Sequence, residues 1–107
     1  MSKKYYDKFT QQQLVEYKKK LHSSIHWLLI YKEADDYEFF DIYFDSLLLK
    51  IECLNEILGD QEEILILFTT LLAAKKECTK EDYDFRVFRK LILDAHNLLD
   101  KINFKGV

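Results

Sequence analysis

Three histidines, two cysteines and two clusters of charge are the groups through which this chain could do chemistry. His22 and His26 stand four residues apart, which puts two imidazoles on one helical face at the spacing a metal pair needs. No Glu stands between them as in HExxH, and no histidine has a Glu three residues before it, so the di-iron pattern of helical bundles is missing too. Cys53 and Cys78 are far apart and neither has a CxxC partner. Either thiol with His96 would pair a nucleophile with a base, but the sequence supplies no third group and no oxyanion hole. These residues imply no metal site, no cofactor and no catalytic activity. The thiols read as free cysteines buried in a protein of the reducing cytosol.

The acidic cluster is denser. Positions 33 to 45 hold Glu33, Asp35, Asp36, Glu38, Asp41 and Asp45 with no basic residue, interleaved with Tyr37, Phe39, Phe40, Tyr43 and Phe44. Carboxylates at a helix start favour the helix dipole, which is the structural reading. The functional reading is an acidic and aromatic surface that docks on a protein with a basic surface, with Glu33, Asp35, Asp36, Tyr37, Glu38, Asp41 and Asp45 as its contact residues. Near the other end, Arg86, Arg89 and Lys90 lie close to one helical face, with Asp82 four before Arg86 and Asp94 four after Lys90. Ion pairs at i,i+4 on a wet face are the first reading, and a small anion or phosphate contact is the alternative.

Composition narrows the classes further. The chain has 107 residues, 49% apolar, 15% aromatic and 33% charged, with two Gly and no Pro, which excludes disorder and collagen-like or low-complexity structure. A net charge of −3 argues against a general nucleic-acid binder, although Lys3, Lys4 and Lys8 make the first residues basic. The longest apolar runs, Trp27 to Tyr31 and Ile64 to Phe68, are five residues each, so neither a signal peptide nor a membrane span is expected.

The elements that must position these groups are helices. Thr10 with Gln13 forms a capping box, followed by Leu14, Tyr17, Leu21, Ile25 and Leu28 on one face of a helix reaching about Glu33. Asp35 and Asp36 can cap a second helix through Phe40, Phe44, Leu47, Ile51, Leu54 and Leu58, which Gly59 stops. Asp60 with Glu63 opens a third helix through Ile64, Phe68, Leu71 and Lys75 to about Cys78. Thr79 with Asp82 is a weaker signal for a fourth, carrying Phe85, Phe88, Leu91 or Ile92, Ala95, Leu98 or Leu99, and Ile102.

Short connections between such helices predict an all-α fold, an antiparallel up-down-up-down four-helix bundle over residues 10–105 preceded by a short N-terminal arm at 1–9. A three-helix array with a long broken first helix is the alternative. Ile25 to Tyr31, Leu47 to Leu49 and Ile64 to Phe68 carry more apolar side chains than one seam uses, so an intermolecular patch is expected. The leading function is therefore a non-catalytic protein-interaction module, an inhibitor or regulator of a larger partner. The alternatives are a homodimer or larger homo-oligomer with a structural role, and a nucleic-acid accessory using the basic arm and the last helix. No family motif is specific enough to name.

Overall fold

Leu14, Leu21, Ile25 and Leu28 recur at the helical step, and all four are buried along the inner side of one helix. The computed structural model describes residues 11–34, 37–59 and 61–104. Its four helices are α1 (Gln11–Glu33), α2 (Tyr37–Leu58), α3 (Glu62–Cys78) and α4 (Phe85–Leu99), and no strand occurs among the described residues. The arm expected at residues 1–9 and the capping residues Thr10, Asp35, Asp36 and Asp60 lie outside the described residues.

Helix α2 follows the expected seam closely. Phe40, Phe44, Leu47, Ile51, Leu54 and Leu58 are buried, and Gly59 at φ 87° ends the helix in the left-handed region where a Cβ would be strained. The helices pack α1 on α2, α2 on α3, α3 on α4 and α4 back on α1, so the buried rows converge on one apolar core.

The third and fourth helices begin later than expected. Gln61, not Asp60, holds the N-cap position of α3, and its side chain does not cap. Its amide instead accepts the Asn103 N–H at 2.9 Å and donates to the Asn103 carbonyl at 2.9 Å, tying the start of α3 to the chain beyond α4. Thr79 is the C-cap of α3 and does not open α4. Asp84 opens it, its Oδ1 accepting the Arg86 N–H at 2.9 Å. The stretch Thr79 to Asp84 is thus a non-helical connection, and α3 and α4, at 17 and 15 residues, are shorter than the sequence suggests.

Glu77 holds that connection. It is a buried charged residue whose carboxylate accepts the Asp84 N–H at 3.2 Å and the Lys80 ammonium at 3.1 Å. On α4 the ambiguous pairs resolve toward Ile92 and Leu99, both fully buried, while Leu91 and Leu98 are half-buried. On α3, Leu67 takes the inner position and Phe68 is half-buried at its edge.

Candidate interaction surface

Helical periodicity sorts the acidic and aromatic stretch into two faces. Phe40 and Phe44 point inward and are buried, whereas Tyr37, Phe39 and Ile42 are exposed and Tyr43 is half-buried. Glu33, Glu38, Asp41 and Asp45 are exposed, and Asp45 pairs with Lys75 of α3. Asp35 and Asp36 lie outside the described residues.

Four aromatic side chains from two helices meet beside these acids. Tyr31 of α1 stands edge-on to Phe39 and Tyr43 of α2, both at 4.8 Å between centroids, and Trp27 stacks on Tyr31 at 5.5 Å. The Tyr43 hydroxyl donates to the Ser24 carbonyl at 3.0 Å, and burial raises its pKa, opposed by the Ser24 side-chain hydroxyl. Trp27 and Phe39 keep 43% and 45% of their surface, so the cluster is anchored at Tyr43 and open at its outer rings. Sequence reasoning found Phe39 and Tyr43 but not Trp27 and Tyr31 as members of this surface. The apolar excess from Ile25 to Tyr31 was the available signal, although periodicity within α1 does not say which helix lies opposite.

A lysine also enters this end. Lys32 Nζ lies over the rings of Tyr37, Phe40 and Tyr83 at 5.2, 5.4 and 4.8 Å, a cation held among three aromatic faces. Burial, with the neighbouring Cys78 and Glu77, pushes the Tyr83 phenol up to about 12. Burial likewise pushes the Cys78 thiol up to about 11, against the opposing pull of Lys32, so it carries little thiolate near neutral pH. Cys53 is exposed on α2, which differs from the buried thiol expected.

Two of the three histidines meet elsewhere, on the seam between α1 and α4, while His26 is exposed. His22 and His96 are ring neighbours, and His22 Nε2 lies 3.1 Å from Asp100 Oδ1. Among the described residues no group of three His, Cys, Asp or Glu side chains is arranged to hold a metal ion.

Arg86, Arg89 and Lys90 are exposed on α4. Lys90 Nζ pairs with Asp94 at 3.1 Å, as the i,i+4 spacing suggests, whereas Arg86 Nε lies 3.7 Å from the capping Asp84, not from Asp82. The acids beside Arg86 and Lys90 therefore point toward them. No described helix is long and apolar enough to cross a membrane.

No protein family, curated protein or solved structure matches the chain.

Proposed function

We propose that this chain is a non-catalytic helical interaction module, an inhibitor or regulator, that docks on a basic protein surface through the edge formed by the end of α1 and the start of α2. The observation that carries the reading is the exposure of Tyr37, Phe39 and Ile42 among the exposed carboxylates of Glu33, Glu38 and Asp41. Apolar and aromatic area supplies burial on docking, while the acids steer a basic partner and fix its orientation. The raised Cys78 pKa agrees with a thiol that serves no nucleophilic chemistry, and two free cysteines suit a reducing cytosol.

The scaffold for this edge is an antiparallel up-down-up-down bundle. Its support is the order of contacts across three of the four seams. Tyr17 donates to the Lys50 carbonyl, while Ser24, further along α1, receives its hydrogen bond from Tyr43, earlier in α2. Asp45 meets Lys75, whereas Glu52 and Glu56 share a cleft with Phe68 and Ile64. His22 meets His96, whereas Lys18 reaches Asp100 and the Phe104 ring. In every case the contacts climb one helix as they descend its neighbour.

The test is kinetic. A partner is captured with the tagged full chain from its source cell and identified, and its association is timed with the parent and with a variant carrying Asp35→Asn, Asp36→Asn, Glu38→Gln and Asp41→Asn. The variant is expected to associate about tenfold more slowly at low ionic strength and to lose most of the salt dependence. Equal rates for the two proteins would reduce the acidic stretch to a solvated helix start.

A further inference from the structure

Helix α2 carries two mainly apolar rows, and the described residues cover one of them. The inner row from Phe40 to Leu58 is buried. On the opposite side Phe39, Ile42, Ser46, Leu49 and Cys53 succeed one another at alternating steps of three and four, the spacing by which one helix presents a seam to another. All five are exposed, and the aliphatic members, Ile42 and Leu49, keep 64% and 60% of their surface. From Phe39 to Cys53 the row spans about 21 Å, or four helical turns.

Charge along this row is one-sided. Glu38, Asp41, Asp45, Glu52 and Glu56 are exposed on α2, whose only basic residue is Lys50. Their spacing places them along the flank that turns toward α3, where Asp45 meets Lys75. On the same flank Glu52 and Glu56 border a 280 Å³ cleft whose apolar lining includes Ile64, Leu65 and Phe68. A second copy of the chain laid antiparallel along this seam would set this acidic flank against its own counterpart, and like charges across an interface oppose docking.

We infer that the outer face of α2 docks an amphipathic helix of another protein, one with an apolar seam and a flank of Lys or Arg. The inference rests on the interaction module proposed above and extends it in two respects. It makes the partner segment helical, and it carries the contact two turns beyond Asp45 to Leu49 and Cys53, with Glu52 and Glu56 as further charge partners. Helix-to-helix docking reads apolar anchors at three-and-four spacing, which Phe39, Ile42 and Leu49 present, with Ser46 and Cys53 as the small positions of the same row.

The probe is a fluorescently labelled synthetic helix of about 21 residues with Leu along one seam and Lys on its flanks, long enough to cover the row. A counterpart carries Glu in place of Lys. Binding to the full chain is followed by anisotropy. The basic helix is expected to saturate the protein and the acidic one to bind at least about tenfold more weakly. Ile42→Asp and Leu49→Asp should each weaken the basic helix about tenfold or more, although both add negative charge. Leu93→Asp on α4 should leave it unchanged. Circular dichroism verifies that each variant is folded, and Ile42→Ser and Leu49→Ser serve if an aspartate variant is not. The inference is overturned if the Ile42 and Leu49 variants bind as tightly as the parent, or if the two helices bind alike. It is overturned equally if the parent sediments as a dimer that Leu49→Asp dissociates, which would give the face to a second copy.

The captured partner separates this inference from the reading beneath it. Sensitivity to the fourfold acidic variant combined with indifference to Leu49→Asp and Cys53→Asp would keep the Glu33–Asp45 contact and remove the helical one. Indifference to all of these changes would remove both.

Discussion

The imidazole rings of His22 on α1 and His96 on α4 lie 4.4 Å apart between centroids, their planes tilted by 39°. Asp100 Oδ1 stands 3.1 Å from His22 Nε2 and 3.4 Å from Lys18 Nζ, so one carboxylate serves two basic groups at this seam. Burial lowers the His96 pKa from 6.5, the neighbouring His22 and His26 lower it further, and Asp100 opposes them. A second proton brought into this contact would set imidazolium beside imidazolium.

This arrangement makes folding stability depend on pH in one direction. A histidine whose pKa is lower in the folded than in the unfolded chain binds fewer protons when folded, so its contribution is complete above the unfolded value and is lost as pH falls. The urea midpoint is expected to hold above about pH 7 and to decline as the pH drops through about 6.5 toward 5. His96→Gln should flatten that decline. A His96→Gln profile as steep as the parent's would exclude the His22–His96 contact as its source.

The two thiols should differ in reactivity. Cys53 is exposed, whereas Cys78 is half-buried with its thiol pushed up to about 11. Thiolate is the reacting species, so at pH 8 native Cys78 should alkylate with iodoacetamide about a hundredfold more slowly than an ordinary exposed thiol. Mass spectrometry after brief exposure should find one adduct, on Cys53. Equal labelling of both residues would contradict the burial of Cys78.

Removing the carboxylate at Glu77 tests the connection between α3 and α4. Glu77→Ala leaves the Asp84 N–H without its acceptor beside the α4 cap, and a lost partner for a buried group costs about 1 to 3 kcal/mol. Lys80→Ala removes only a largely exposed partner and should cost about 1 kcal/mol or less. Urea denaturation of the two variants distinguishes them. A Glu77→Ala loss no larger than that of Lys80→Ala would mean that the loop does not depend on the carboxylate.

How much of this was legible in the sequence follows from the range of each interaction. The buried rows of α1 and α2 and the stop at Gly59 depend on neighbours within a few residues, and periodicity displays them. Gln61 bonds to Asn103, so the start of α3 is tied to a partner that local capping patterns do not register, whereas α4 opens on a local cap at Asp84 that the Thr79 and Asp82 pattern passes over. The surface is similar. The exposed acids were readable from position alone, but Trp27 and Tyr31 join Phe39 and Tyr43 only because α1 lies on α2. Likewise, His22 and His96 meet across most of the chain, and no spacing rule connects them.

Adjacent apolar residues on α4 expose the same limit and supply a direct check. Leu91 and Ile92 both fit a helical seam within the tolerance of three-and-four spacing, so the choice between them falls to the surrounding helices. The fold seats Ile92 in the core with no exposed surface and leaves Leu91 half-buried at the margin. A truncation at a closed site forfeits the transfer of the removed groups from water and leaves a cavity, whereas a margin site can refill with solvent or shifted neighbours. Ile92→Ala is therefore expected to cost about 2 to 4 kcal/mol, as is Leu54→Ala at another fully buried position, and Leu91→Ala about half as much. Chemical denaturation at one pH, with unchanged m-values, gives the comparison. A larger loss at Leu91 than at Ile92 would mean that α4 is rotated about its axis from the orientation described.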